Sequence, residues 1–228
     1  MKLAFREFGS GQPLIILHGL FGQSDNWNTL AKRFGDPDSY RDGFHVFTID
    51  QRNHGLSPHS EEWTYDAMAN DLKEFISEHQ LKDPILLGHS MGGKTVMFFE
   101  LKYSGIAKKI IVADIAPRAY ESHHDSVLKA LNAVDFSVIK TRKEAEAIMN
   151  EYLPDFGTKQ FLLKNIYWKD NTNNIMDWRF NLKVIDKEYS NVGAEVPNGK
   201  SEVETLFIRG EKSNYIGEND LQENQKRF

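Results

Sequence analysis

No cysteine occurs among the 228 residues, which excludes disulfides, thiolate zinc sites and a cysteine nucleophile and is compatible with a reducing compartment. Basic charge is not in excess: 28 Lys and Arg stand against 33 Asp and Glu, a formal net charge of -5 at pH 7. With no basic stripe interleaved with aromatics, nucleic acid is not the expected partner, and a small molecule is. No apolar stretch approaches the ~20 residues that cross a bilayer, so no membrane insertion is expected. The opening Met1-Lys2-Leu3-Ala4-Phe5-Arg6-Glu7 carries charges where a secretory signal needs an apolar core. The expected location is the cytoplasm. Histidine is unevenly placed, because of eight in the sequence none lies beyond His124.

What is present suffices for one sizeable core, with 40% hydrophobic and 27% charged residues. Short apolar runs alternate with longer amphipathic ones in the first half, which predicts an α/β fold with a doubly wound, mostly parallel sheet. Strands are expected near 3–8, 14–17, 46–49, 85–87 and 110–113, and helices near 27–34, 65–79 and 91–101. Thr64 is a natural N-cap for the second helix, whose Met68, Leu72, Phe75, Ile76 and His79 recur at helical spacing. After Ile115-Ala116-Pro117 the character changes. Thr141-Arg142-Lys143-Glu144 reads as a capping box opening a helix to about residue 152, Pro154 ends it, and the next convincing strand is 205–209. The expected organisation is a core of residues 1–117 and 201–228 with a helical cap, 118–200, whose polar exit linker is 191–199. No internal repeat or low-complexity tract is evident.

Chemistry concentrates in four places. Pro84-Ile85-Leu86-Leu87-Gly88-His89-Ser90-Met91-Gly92-Gly93 runs from an apolar strand through a glycine-flanked serine into a helix, as a nucleophile elbow does. The same run fits a phosphate-binding loop, from Gly88 to Gly93-Lys94-Thr95. Four candidate strands precede it, however, and a phosphate loop usually follows the first. Leu14-Ile15-Ile16-Leu17-His18-Gly19-Leu20-Phe21-Gly22 empties a second strand into a glycine-bearing turn, so the Leu20 and Met91 amides are candidate donors to an oxyanion. His18 is expected to shape this loop by hydrogen bonds. Asp50-Gln51-Arg52-Asn53-His54-Gly55-Leu56-Ser57 is a polar loop in which Asp50 and Arg52 are expected to pair locally. Asp114 follows the strand at 110–113, at the carboxyl ends where Ser90 also falls. A carboxylate there can orient a histidine and stabilise its imidazolium. Under the phosphate-loop reading it would hold magnesium instead.

These motifs, with Asp177-Trp178-Arg179-Phe180-Asn181-Leu182 in the insertion, resemble the α/β-hydrolase superfamily and, within it, a subgroup of small esterases and acyl thioesterases. The resemblance implies Ser90 as nucleophile, Asp114 as acid, the Leu20 and Met91 amides as oxyanion hole, and auxiliary places for Ser213 and His89. Arg209-Gly210-Glu211-Lys212-Ser213 carries no aspartate, and Glu211 is the weaker candidate acid. The implied activity is hydrolysis of a small-molecule carboxylic ester, including acyl thioesters, through an acyl-serine intermediate, with no metal or organic cofactor. The superfamily order of serine, acid and then histidine after a final strand implies a base that the sequence lacks beyond His124. Residues 219–228 read as a helix leading toward such a strand, so the expectation is a chain that stops before its base. His123 or His124 would have to substitute. A different class therefore stands beside the first: a hydrolase fold that at most binds ligand.

Overall fold

Leu14-Ile15-Ile16-Leu17 shows no polar alternation, as a strand covered on both faces requires. In the computed structural model, which describes residues 1–40, 43–121 and 125–228, this run lies inside a six-stranded sheet. The first half contributes β1 (Phe5–Phe8), β2 (Gln12–Leu17), α1 (Asn28–Gly35), β3 (Phe44–Ile49), α2 (Tyr65–Glu78), β4 (Ile85–His89), α3 (Met91–Lys102) and β5 (Lys109–Ala113). The second half contributes α4 (Asp125–Ala133), α5 (Arg142–Met149), α6 (Phe156–Leu163), β6 (Ile166–Asp170), β7 (Ile175–Trp178), α7 (Leu182–Lys187), β8 (Glu204–Ile208) and α8 (Glu218–Arg227). The strand order is β1-β3-β2-β4-β5-β8, with β1 alone antiparallel to its neighbour.

Alternation along the strands decides which layer each side chain joins. Ile15, Leu17 and Phe47 pack with Leu72 and Phe75 of α2 and Val96 and Phe99 of α3. Leu14, Ile16, Val46 and Leu87 point to the other face, against Ala31 of α1. Helices on both faces make the sheet doubly wound, as expected. The Thr64 hydroxyl accepts the Ala67 amide at 3.2 Å to cap α2. The box at α5 also forms, the Glu144 amide donating to Thr141 Oγ1 at 3.2 Å and the Thr141 amide to Glu144 Oε2 at 2.8 Å.

Between β5 and β8 the insertion is not purely helical. Strands β6 and β7 form an antiparallel hairpin in a stretch where no strand was expected. The Asp170 carboxylate accepts the amides of Thr172 and Asn173, and Asn174 adopts a φ of +52°, which together turn the chain between them. Val127, Leu131, Met149, Leu162, Ile166, Trp178 and Ile185 bury one another in a cluster that also takes in Phe21, Tyr65 and Met91 below. The exit segment is held rather than free: Val196 is buried and its carbonyl accepts Arg227 Nη2 at 2.7 Å. Strand β8 pairs with β5 and ends the strand order among the described residues, and Leu206 and Ile208, on one face of it, are 55% and 46% exposed. Among the described residues no helix is long and apolar enough to cross a membrane.

Candidate active site

Strand β4 and helix α3 meet so closely that only glycine fits at their crossing. A Cβ on Gly88 would stand 2.1 Å from the Gly92 carbonyl oxygen, and one on Gly92 would stand 2.5 Å from that of Leu17. Between them Ser90 sits at φ 51° and ψ -117°, a left-handed conformation rarely held by a residue with a side chain. Its amide donates to the Ala113 carbonyl at 2.9 Å, tying the turn to β5. The phosphate-loop reading fails here. Lys94 is wholly buried and its Nζ donates to the carbonyls of Arg118, Gly193 and Ala194, while Thr95 Oγ1 donates to Gln51 Oε1 at 2.9 Å.

The loop after β2 lies beside this turn, since a Cβ on Gly19 would come within 3.3 Å of Ser90 Cβ. Four contacts fix it. Gly22 N donates to the Gly19 carbonyl at 2.9 Å, and His18 Nδ1 lies 2.8 Å from that same oxygen. Phe21, at φ 57°, donates its amide to His54 Nε2 at 3.3 Å and accepts Asn165 Nδ2 at 2.9 Å on its carbonyl. The amides of Leu20 and Met91 have no acceptor among the described residues outside regular elements. His18 thus has the structural role expected of it, its Nε2 accepting the Gln51 amide at 3.0 Å. Burial lowers His18 to about 4 and His54 to about 3.

The local pair expected between Asp50 and Arg52 does not form. Asp50 accepts the amides of Ser24 at 2.5 Å and Leu56 at 2.9 Å, closing its own loop. Arg52 instead reaches helix α2, donating from Nε to Asp71 Oδ2 at 2.6 Å and from Nη2 to Oδ1 at 3.0 Å. A two-point fork suits a guanidinium, and both groups are buried there.

Asp114 leaves β5 at φ 57° and accepts the Gly210 amide on Oδ1 at 3.0 Å. Ser213 is close by, because a Cβ on Gly210 would be 3.1 Å from Ser213 Cβ and 3.3 Å from Asp114 Oδ1. The Ser213 hydroxyl accepts the Tyr215 amide at 3.2 Å. Ser90, Asp114, Leu20, Met91 and the exposed His89 line one cavity of about 770 Å³, whose walls include Phe161, Leu162, Tyr65 and Tyr189. His89 packs edge-on against Trp27 with ring centroids 6.4 Å apart. Glu211 does not line this cavity. His123 and His124 lie outside the described residues. Asn165, which holds the Phe21 carbonyl, was not singled out by sequence, whereas His54, a histidine of the polar loop after β3, bonds to backbone groups through both ring nitrogens, as a loop histidine commonly does.

A mostly parallel sheet with a serine on a strained strand-to-helix turn, opening into a cavity at the carboxyl ends of the strands, defines a class of α/β enzyme fold. Residues 12–145 match the family model described as the alpha/beta hydrolase fold, and the chain belongs to that family. It is 37% identical to a protein of Escherichia coli named Esterase YbfF over 92% of this chain and 78% of that one. It is 34% identical to the sn-1-specific diacylglycerol lipase ABHD11 of Danio rerio over 96% of this chain and 69% of that one. A solved structure called marine microorganism esterase superposes with a TM-score of 0.92 at 40% identity, covering all of this chain and 87% of the other.

Proposed function

We propose that this chain is a serine hydrolase of carboxylic esters that works through an acyl-serine intermediate, in a cytoplasmic setting and without a cofactor. The observation that carries the reading is the convergence on one cavity of a strained Ser90, two unclaimed amides at Leu20 and Met91, and Asp114. Ser90 Oγ attacks the acyl carbon, the two amides receive the oxyanion, and the alcohol leaves with a proton. Water then releases the acid. An acyl thioester is open to the same attack, with a thiol leaving. Residues 118–200 serve as the cap, and their aromatic and aliphatic wall receives the acyl chain. The names of the relatives, an esterase and a diacylglycerol lipase, support an acyl ester as substrate.

In this reading Asp114 orients an imidazole that takes the Ser90 proton. Neither His18 nor His54 is that base, because both ring nitrogens of each are bonded to backbone groups. The described residues place no other imidazole in hydrogen-bond contact with Ser90, and this favours a second reading, an acyl-ligand binder without turnover. A fluorophosphonate probe separates the two. Rapid labelling of wild type, abolished in Ser90→Ala, is expected; an unlabelled but folded protein overturns the hydrolase in favour of the binder.

A further inference from the structure

Lys94 is a buried cation with no carboxylate in ion-pair contact among the described residues. Taking an ammonium out of water is costly unless each N–H finds an acceptor. Here three N–H groups meet three main-chain carbonyls, those of Arg118 at 2.9 Å, Gly193 at 3.3 Å and Ala194. The ammonium also stands 4.8 Å above the centre of the Tyr120 ring. Burial and the neighbouring Arg118 push it down to about 8, with Glu195 opposing, so it still holds its third proton at neutral pH.

The location of those acceptors gives the lysine its meaning. Arg118 lies where the chain leaves the sheet after β5, and Gly193 and Ala194 lie where it returns toward β8. The two segments also bond to each other, through Tyr120 N to the Gly193 carbonyl at 2.9 Å and Val196 N to the Pro117 carbonyl at 2.8 Å. They approach so closely that a Cβ on Gly193 would meet the Tyr120 carbonyl oxygen at 2.2 Å. Tyr120, Val192 and Gly193 face the same cavity as Ser90. Lys94 itself is one turn beyond Ser90, its amide donating to the Ser90 carbonyl at 3.0 Å.

We propose that Lys94 is a positioning residue that staples both crossings of the insertion to the nucleophile helix, and so sets the cavity wall formed by Tyr120, Val192 and Gly193 against Ser90. It touches neither substrate nor the reacting atoms. Its effect on ester selection rests on the hydrolase reading above, whereas its effect on the crossings does not. A lysine is suited to this place, since its three rotatable donors can follow three carbonyls from one nitrogen.

The test is hydrogen exchange by mass spectrometry on the full chain, comparing wild type with Lys94→Met and Lys94→Gln. Segments 115–121 and 190–197 are expected to exchange about tenfold faster in Lys94→Met and by an intermediate factor in Lys94→Gln, with β2 to β5 unchanged. Parallel kinetics on p-nitrophenyl esters of two to eight carbons are expected to show KM for the preferred chain raised about tenfold, kcat changed less than about threefold, and a flatter chain-length profile. Unchanged exchange at the crossings overturns the staple while leaving ester hydrolysis standing. Faster exchange in a protein that turns over no ester sinks the hydrolase reading and keeps the staple. Global unfolding of both variants also overturns the proposal, because a staple confined to the crossings leaves the sheet intact.

Discussion

The Phe21 amide donates to Nε2 of His54 across 3.3 Å, so the loop beside Ser90 hangs on an imidazole that has to be neutral. The other nitrogen, Nδ1, stands 3.0 Å from the Arg52 carbonyl and carries the proton. His18 repeats the arrangement with the Gln51 amide and the Gly19 carbonyl. A second proton on either ring would set one N–H against another. The two rings lie 5.1 Å apart, and each charge would also repel the other.

An acid limb of stability follows. Free histidine titrates near 6.5, whereas burial holds His18 to about 4 and His54 to about 3. Below pH 6.5 the unfolded chain takes up protons that the folded chain refuses. The stability is therefore complete above that pH and lost as the pH falls toward those lower values. At about 1.4 kcal/mol per unit for each group, the pair should lose on the order of 6 kcal/mol by pH 4. Urea unfolding between pH 7.5 and 4 measures the slope, and His54→Gln should reduce it by close to one proton. An identical slope in that variant would contradict the assignment.

Local chemistry written in adjacent residues was legible, and chemistry joining distant segments was not. The elbow could be read because Gly88, Ser90 and Gly92 stand within five positions, and the capping box at Thr141 and Glu144 within four. Arg52 was matched to Asp50, two residues away, but its partner is Asp71 on another element, which sequence distance hides. The hairpin β6–β7 had a signal in Asn171-Thr172-Asn173-Asn174 between two short runs rich in aliphatic and aromatic residues, masked by the charges around it and by the lack of a clean alternation. Lys94 fitted a phosphate loop because its true acceptors are main-chain carbonyls, and these leave no pattern in a sequence.

The Arg52–Asp71 fork should behave as a buried pair, expensive to break from one side. Asp71 also lies 3.2 Å from the Met1 amino group, so Asp71→Asn strips two cations of a partner at once. A loss of about 3–5 kcal/mol is expected for that change, and a much smaller one for Arg52→Met combined with Asp71→Leu. A double-mutant cycle by urea denaturation measures the coupling. Additive losses would show that the two groups do not act as a pair.

Phe180 connects the insertion to the loop after β2 that lines the cavity, and on the proposed hydrolase reading its removal should affect both stability and turnover. Its ring lies 5.0 Å from that of Phe21 and is stacked on Trp178 at 5.3 Å, and only 1% of the residue is exposed. The Asn181 amide next to it donates to the Asn53 carbonyl at 2.9 Å, anchoring the same segment to the loop after β3. Phe180→Ala should cost about 3–5 kcal/mol through the cavity it leaves. If ester hydrolysis runs through the Leu20 amide, the freed loop should lower kcat more than it raises KM, because the oxyanion forms only in the transition state. Trp168→Ala, at a position 47% exposed, is the control and should change stability by less than about 0.5 kcal/mol. Thermal unfolding and steady-state kinetics on a short-chain ester decide the matter. A Phe180→Ala protein that is destabilised yet keeps its full kcat would show that the insertion does not position the oxyanion loop.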